Sequence, residues 1–465
     1  MVFSSFSFIF FFLPITLFIY FISNDKYKNI IICISSLIFY AWGEPKYIIL
    51  MIISIFVNYL IAIIMGGNRK IKRKKRTIML VIAIIFNILI LTFFKYGNFI
   101  ITNINLLFKS NISLLGLKLP IGISFYTFQI LSYVIDVYKG NAKVQKNIIK
   151  LCTYISLFPQ LIAGPIVRYK DIEKQLDSRK INRDKVVSGI SRFVIGLSKK
   201  ILIANNVALI SNYIYNVNPT NSTFLLWLAA ISYTLQIYFD FSGYSDMAIG
   251  LGKILGFEFL ENFNYPYISK SITDFWHRWH ISLSTWFRDY VYIPLGGNRV
   301  NMVLHIRNIF IVWLLTGIWH GAAWNFIIWG IYYALFLLLE KFIYGKFLDK
   351  MPNIIKHIYT LFIVVIGWVI FRVENISQLL MILKNMFLFS PANVFEYILG
   401  AFDVKVGLIF IPIGILFSIP IFKSIKRNNS KPIYLLKKIM VVILFITCIL
   451  QLLIQNYNPF IYFNF

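Results

Sequence analysis

Residues 68–95 read NRKIKRKKRTIMLVIAIIFNILILTFFK, a basic cluster followed directly by an apolar run. The run 78–95 is about as long as a helix must be to cross the hydrocarbon core of a bilayer, roughly 20 residues. Lys and Arg collect in the cytoplasmic loops of membrane proteins, so the cluster predicts which end of this helix faces the cytoplasm. This one segment therefore predicts a helical membrane protein.

The composition of the whole chain agrees with this prediction. Of its 465 residues 59% are hydrophobic and only 14% are charged, whereas a soluble domain carries about 25% charged residues. The 46 Lys and Arg outnumber the 18 Asp and Glu, which gives a net charge of +28. In a membrane protein such an excess fixes topology and meets anionic lipid. We therefore expect the lipid bilayer as a partner and no nucleic acid.

Apolar runs recur along the chain and predict an all-α polytopic membrane protein, with residues 1–465 as a single membrane domain. At roughly 20 residues per span, roughly eleven or twelve transmembrane helices are expected. The first run lacks a basic start and a cleavage site, so we interpret it as a retained span. With the basic loops inside, both chain ends face outward. The runs lie near 5–22, 29–42, 47–65, 78–95, 120–138, 201–216, 223–240, 302–319, 322–342, 355–371, 406–422 and 439–456.

One apolar run does not have the pattern of a simple span. Residues 151–167 read LCTYISLFPQLIAGPIV and contain Pro159, Gly164 and Pro165. Proline removes a backbone donor and breaks a helix. Broken backbone at membrane depth is tolerated where protein or a water-filled cavity surrounds it. The run therefore predicts a re-entrant segment.

A second unusual segment, residues 273–299, reads TDFWHRWHISLSTWFRDYVYIPLGGNR and gathers polar groups within an apolar chain. As one helix from Thr273 to Tyr290 it would be amphipathic, and PLGGNR would end it. Such a helix either lies in the membrane interface or dips inward and lines an aqueous chamber. Its polar stripe would be His277, His280, Ser284 and Arg288. Its aromatic and apolar stripe would be Trp276, Trp279, Leu283, Phe287 and Tyr290.

Ionisable side chains also occur within or beside apolar runs. Asp240 and Asp246 end one run, and His320 separates two others. Such groups are costly in a membrane and mark function by default, which favours the inward alternative. His320 can also be a hydrogen-bonding partner between helices, and for Asp240 we expect pairing with an arginine of residues 273–299. The three cysteines show no CxxC or Cys/His pairing, so we expect no disulfide and no metal site.

Several longer segments carry a more specific signal: MVFSS, FYAWGEPKY, GISFYTFQILSYVIDVYKG, LFPQLIAGPIVRY, YFDFSGYSDMAIGLG, FWHRWHISLSTWFRDYVYIPLGGNR and TGIWHGAAWNFIIWG. Together they resemble the membrane-bound O-acyltransferase (MBOAT) family, most closely its AlgI-like branch, known from O-acetylation of alginate and cell walls. The resemblance covers the chain to about residue 340, with core motifs at 120–340. It implies a ring of tilted helices and re-entrant segments around a central tunnel.

The resemblance also implies residue roles. The essential histidine of the family matches His320, and its second polar position matches His280. His277 stands where this branch usually has an arginine, which weakens any anionic contact there. The C-terminal tail 457–465 is similar to the end of the small DltX-type partner peptides, whose tyrosine carries the acyl group and matches Tyr462. The aromatic residues of this tail can also be an anchor in the membrane interface, where such side chains collect. Further residues expected to line the tunnel or the donor site are His277, Ser284, Arg288, Asp240, Trp319 and Asn298.

The expected function is therefore transfer of an acyl group from a cytoplasmic thioester to a cell-surface polysaccharide or peptidoglycan, with acetyl as the leading candidate for that group. The donor would be acyl-CoA or an acyl-carrier protein, with no tightly bound cofactor. A secreted or membrane-anchored SGNH-type transferase or esterase would complete the transfer outside the cell membrane. D-alanyl transfer to teichoic acid, as in the DltB branch, is the alternative within this class. A proton-coupled transporter is the alternative of another class; the chain shows no second copy of its WHG or RWHIS patterns.

Overall fold

The computed structural model describes residues 2–66, 72–217, 220–390, 394–421, 431–454 and 461. In these ranges the chain is helical, with no strand, which confirms the predicted all-α class. Its helices are Leu13–Ile22, Lys28–Gly43, Ile48–Gly66, Arg73–Leu91, Gly97–Phe108, Ile123–Lys139, Ile148–Ser156, Phe158–Leu161, Tyr169–Asp177, Arg183–Ser198, Asn205–Asn212, Thr223–Ile254, Ile272–Arg278, Ile281–Phe287, Met302–His320, Trp324–Leu339, Gly345–Lys350, Asn353–Arg372, Ile376–Phe387, Val394–Gly400, Phe402–Phe417 and Lys431–Ile454.

Eight helical segments in the described ranges are long and apolar enough to cross a membrane, and some of them join two consecutive helices through a π-helical turn. The surface of these helices suits lipid: only 6% of the apolar part of Pro432–Ile454 is buried, and 17% of that of Arg73–Phe108. Soluble monomers rarely expose contiguous apolar faces of such extent. The eight are Ile48–Gly66, Arg73–Phe108, Arg183–Val217, Thr223–Ile254, Met302–His320, Trp324–Lys350, Asn353–Arg372 and Pro432–Ile454.

The other four apolar runs also form helices, but these are too short to meet the same criterion. Ile123–Lys139 has 17 residues, and Lys28–Gly43 and Phe402–Phe417 have 16 each. The run 5–22 becomes the short apolar helix Phe8–Ile22. The expected eleven or twelve spans therefore resolve into eight long helices and four short ones. A further short apolar helix, Ile376–Phe387, was not predicted.

The chain forms two compact units, of which the first comprises Met1–Arg192 and Met247–Leu260. Helix Ile123–Lys139 is buried along most of its length and forms the core of this unit. Asn87, the polar residue in the run 78–95, exchanges hydrogen bonds with Asn58 on the neighbouring helix, at 2.8 and 3.2 Å. An amide pair of this kind satisfies both polar side chains between apolar helices.

The predicted irregularity at residues 151–167 is confirmed. Helix Ile148–Ser156 ends, Leu157 leaves helical geometry, and the short helix Phe158–Leu161 begins with Pro159 in its first turn. Nearly all of this segment is buried in the first unit. Protein therefore surrounds the broken backbone, as membrane depth requires.

The second unit comprises Phe193–Asp246 and Glu261–Phe465. Its centre is a helical hairpin, Met302–His320 and Trp324–Leu339, against which Asn353–Arg372 packs. The short helix Ile272–Arg278 contacts the second and third of these helices. His320 is the last residue of the first hairpin helix, and His280 follows the short helix Ile272–Arg278 by two residues.

Candidate active site

The segment predicted as one helix from Thr273 to Tyr290 is broken at His280. Helix Ile272–Arg278 ends before it, and helix Ile281–Phe287 starts after it. The backbone of His280 is left-handed, with φ of 44°. For a residue with a Cβ this conformation costs roughly 1–2 kcal/mol, and it ends a right-handed helix. The prediction of a continuous helix is therefore wrong.

The main chain of residues 262–264 takes up the hydrogen bonds that the break would leave open. The Asn264 amide donates to the Arg278 carbonyl at 3.0 Å, and the Ile281 amide donates to the Asn262 carbonyl at 3.0 Å. Buried backbone groups need such partners. Because both groups are satisfied, the chain can turn at His280.

The break also separates the polar side chains that a single helix would align. His280 is buried, Ser284 is half-buried, and His277 and Arg288 are exposed. Asn298, in the turns that follow, is exposed as well. The predicted polar stripe is therefore wrong as a unit, and the structure brings only His280 into the interior. The predicted second stripe is buried throughout: Trp276, Trp279, Leu283, Phe287 and Tyr290.

Asn262 holds the imidazole of His280. The Asn262 Oδ1 atom accepts hydrogen bonds from the Ser282 amide at 3.1 Å and the Ser282 hydroxyl at 2.9 Å, and it lies 3.1 Å from His280 Nδ1. A backbone N–H can only donate, so the atom facing it must be the amide oxygen. The Nδ1 atom of His280 must then carry the proton that points at this oxygen.

The opposite ring atom, Nε2, is consequently the lone-pair nitrogen of His280. It is buried and has no hydrogen-bond partner among the residues that the structure describes. His280 lies outside the eight candidate spans, and burial lowers its pKa to about 3 because desolvation disfavours the charged imidazolium. His280 therefore offers a neutral hydrogen-bond acceptor at neutral pH.

Trp319 contacts both candidate histidines. Its ring centroid lies 6.0 Å from that of His280 and 5.0 Å from that of His320, in edge-to-face arrangements. Phe241 meets the ring of His280 from a further direction, at 4.6 Å. The two imidazoles therefore belong to one aromatic cluster within the second unit.

His320 is the last residue of helix Met302–His320 and is 3% exposed. Trp329 and Phe371 meet its ring edge to face, with centroids 5.0 and 5.1 Å away. The Asn325 side chain donates to the carbonyl oxygen of Phe371 at 3.0 Å. This bond fixes the helix that carries Phe371 against the helix that carries Trp329, and so fixes the walls around His320.

Two glycines bring the hairpin helices close together beside His320. A Cβ on Gly317 would lie 2.3 Å from the Phe326 carbonyl oxygen, and one on Gly330 would lie 2.5 Å from that of Trp313. Small residues allow helix backbones to approach in this way in membrane proteins. They place Trp329 next to His320 across the hairpin.

Asp240 pairs with a lysine and not with an arginine of residues 273–299, so that expectation is wrong. Its carboxylate lies 2.5 Å from the Lys200 ammonium, and both side chains are almost fully buried. It also accepts a hydrogen bond from the Ile461 amide at 2.9 Å. The C-terminal chain therefore reaches a buried ion pair. Tyr462 itself lies outside the described residues.

Sequence reasoning missed two residues of this site, Asn262 and Lys200. Asn262 stands in ENFNYPY, a polar turn-like segment with no motif of its own. Lys200 belongs to a basic segment that predicted only topology. An offset of 40 residues along the chain separates Lys200 from Asp240, so no helical spacing indicates this pair.

The geometry can be set beside known proteins. The family model described as "MBOAT, membrane-bound O-acyltransferase family" matches residues 142–382, which hold both histidines. A protein of Pseudomonas aeruginosa named "Probable alginate O-acetylase AlgI" is 43% identical over 401 residues, covering 85% of this chain and 76% of that protein.

The names of two further relatives refer to cell-wall polymers. The "Peptidoglycan O-acetyltransferase" of Helicobacter pylori is 37% identical, covering 82% of this chain and 78% of that protein. The "Teichoic acid D-alanyltransferase" of Bacillus subtilis is 34% identical, but covers only 48% of this chain and 59% of that protein. The similarity to the O-acetyl transferases thus extends over much more of the chain.

Proposed function

Because the chain belongs to the membrane-bound O-acyltransferase family, we propose that it moves an acyl group from a cytoplasmic thioester across the membrane. Acetyl is the leading candidate for this group. The group is destined for the hydroxyls of a cell-surface polysaccharide or peptidoglycan. One observation carries the proposal: two buried histidines, His280 and His320, contact one indole, that of Trp319.

In this proposal His320 is the general base. Transfer from a thioester to a hydroxyl requires that the hydroxyl lose its proton as its oxygen attacks the carbonyl carbon. A positioned base contributes typically 10²–10⁴-fold to such a step, and histidine is the side chain whose usual pKa suits neutral pH. The aromatic walls around His320 exclude water, which would otherwise hydrolyse the thioester.

His280 orients the reacting groups. Its Nε2 atom is an acceptor inside the unit, so it can receive a hydrogen bond from the incoming hydroxyl or from an amide N–H of the donor. Its tautomer is already set by Asn262, so no reorganisation is needed when the substrate arrives. This role depends on the fixed ring and not on a change of charge.

Tyr462 is the proposed acyl relay. A cytoplasmic donor and an outer polymer are too far apart to react directly, so a hydroxyl of the chain itself carries the group between them. The hydrogen bond from Ile461 to the buried Asp240 supports this, because it anchors the residue adjacent to Tyr462. A phenol with a pKa of about 10 is a fair nucleophile beside a base and a fair leaving group afterwards.

The donor is acyl-CoA or an acyl-carrier protein, both anionic, and the excess of Lys and Arg in this chain suits either. The acyl group is then passed to a secreted or membrane-anchored SGNH-type enzyme. Both chain ends lie on the outer side of the cell membrane in this arrangement. The family match favours transfer over proton-coupled transport.

D-alanyl transfer to teichoic acid is the second candidate, favoured by the similarity to the Bacillus subtilis protein. One experiment separates the two. The gene is deleted in the native cells, the surface polymers are isolated, and acetate and D-alanine released by mild base are quantified. We expect loss of acetate and its return on complementation. Loss of D-alanine alone selects the second candidate, and no loss of either contradicts both.

A further inference from the structure

Four aromatic side chains beside His320 form a cage, defined here as Trp276, Trp329, Trp368 and Tyr333. The ring of Trp329 lies 5.5 Å from Trp276, 6.3 Å from Trp368 and 5.2 Å from Tyr333, between centroids. The same ring lies 5.0 Å from that of His320. The cage is therefore contiguous with the proposed base.

Each member of this cage buries a polar atom that has no hydrogen-bond partner in the described part of the chain: the Nε1 atoms of the three tryptophans and the hydroxyl of Tyr333. The side chains are almost fully buried, from 0% exposed for Trp329 to 8% for Trp276. An indole N–H can only donate. The cage thus holds three obligatory donors and one hydroxyl without an acceptor.

Such donors are unusual because buried polar groups in proteins are nearly always hydrogen-bonded. Trp227, elsewhere in the same unit, follows the rule: its Nε1 donates to the Met386 carbonyl at 2.9 Å. Edge-to-face contacts between the cage rings offer weak N–H to π interactions at best. Donors left open beside a catalytic base indicate a ligand that brings acceptors.

We propose that the cage binds the carbonyl oxygen of the acyl thioester and stabilises its negative charge during transfer. The ligand is a neutral acceptor and not a phosphate, because within the described ranges no Lys or Arg lies over any of these four rings. Trp329 holds the central place, since it contacts both His320 and the other three rings. This inference rests on the proposed acyl transfer.

In this step the acceptor hydroxyl gives its proton to His320 while its oxygen bonds to the carbonyl carbon. The carbonyl electron pair moves onto oxygen, and the indole N–H groups donate to the resulting oxyanion. The pair then returns, the carbon–sulfur bond breaks, and the thiolate leaves with the proton from His320. Preorganised donors in a water-poor site stabilise such a charge without reorganising.

Trp329→Phe removes the N–H and keeps an aromatic ring, and Trp227→Phe is the matched control. Pulse-labelling with radioactive acetate gives the initial rate of polymer acetylation per amount of membrane protein, and thermal unfolding in detergent gives the Tm. We expect Trp329→Phe to lower the rate roughly 10²-fold, the usual effect of losing one oxyanion donor, and to lower the Tm only through the loss of buried ring volume. Trp227→Phe should lower the Tm and leave the rate per folded protein unchanged.

Benzothienylalanine at position 329 keeps the bicyclic shape and replaces only the N–H, so it tests the donor if Trp329→Phe misfolds. A normal rate in either Trp329 variant overturns the inference. So does a lower Tm for the benzothienylalanine variant, because losing the N–H at constant ring shape would then remove a hydrogen bond made inside the protein. A wild-type strain whose polymers carry no acyl group would instead overturn the proposed function, and this inference with it.

Discussion

The Oδ1 atom of Asn262 lies 3.1 Å from Nδ1 of His280 and accepts two hydrogen bonds from Ser282, one from its amide and one from its hydroxyl. The amide of Ser282 cannot accept, so the orientation of Asn262 is fixed, and with it the tautomer of His280. A side chain 18 residues away in sequence thus decides which nitrogen of the histidine faces the interior.

Asn262→Asp should make activity sensitive to acid. Burial keeps the pKa of His280 at about 3 in the wild type, so its Nε2 accepts hydrogen bonds throughout pH 5–8. A carboxylate at position 262 favours the imidazolium and raises that pKa by roughly 1–3 units. Below the raised pKa Nε2 carries a proton and cannot accept. The rate of acyl transfer should therefore fall as the pH drops through the raised pKa, which lies at about 4–6.

The control is Asn264→Asp, which places the same change on an exposed side chain two positions away. Its pH profile should match that of the wild type, because solvent screens the new charge. An unchanged profile for Asn262→Asp would show that the protonation of His280 has no bearing on transfer.

His320→Ala should lower acyl transfer by roughly 10²–10⁴-fold, the usual contribution of a general base, while the protein still accumulates in the membrane. His280→Ala should also lower it, since the ring that we propose orients the reacting groups is lost. His277→Ala is the matched control: His277 is exposed and should tolerate the change. The measurement is ester-linked acetate on the polymers per amount of membrane protein. Near-normal transfer by His320→Ala would exclude His320 as the base.

Much of the fold follows from the hydropathy pattern because few backbone conformations are stable in lipid. The run 78–95 is helical because every backbone polar group in lipid must be satisfied within its own segment. Its Asn87 needed a partner, and Asn58 supplies one. Likewise Pro159 predicted a break that the chain shows after Ser156.

The break at His280 is not predictable in the same way. Left-handed backbone geometry is usually found at glycine or asparagine, whereas here a histidine adopts it. Hydrogen bonds to the main chain of residues 262–264 stabilise this conformation. They are a tertiary contact, which the hydrophobic periodicity of the sequence cannot indicate. His320 could be singled out because it is an ionisable residue between apolar runs, whereas Asn262 resembles an ordinary loop amide.

Asp240→Asn should strongly destabilise the protein. The change leaves the ammonium of Lys200 buried without its carboxylate, and breaking a buried pair from one side costs about 3–5 kcal/mol. The double change Lys200→Met with Asp240→Asn should recover most of this loss, because no charge remains to be buried. Thermal unfolding of the detergent-solubilised protein measures both.

The neighbouring pair Lys199 and Asp246 provides the comparison, since its side chains are 25% and 16% exposed. Asp246→Asn should lower the Tm less than Asp240→Asn, because water screens what remains of Lys199. Equal losses for the two aspartates would mean that burial does not set the importance of Asp240.

Tyr462→Phe should abolish polymer acylation, because it removes only the hydroxyl that carries the acyl group in the proposed relay. The observation that motivates this test is the bond from Ile461 to Asp240, 2.9 Å from amide nitrogen to carboxylate oxygen. Tyr457→Phe, a second tyrosine of the C-terminal chain, is the control and should acylate normally. In a strain that lacks the secreted partner, mass spectrometry of the wild-type C-terminal peptide should detect an acyl group on Tyr462, since the relay is loaded but not emptied. Wild-type acylation in Tyr462→Phe, or an unmodified peptide in that strain, would contradict the relay. The tail would then be only an anchor held by Asp240, and the acyl group would pass directly from donor to acceptor.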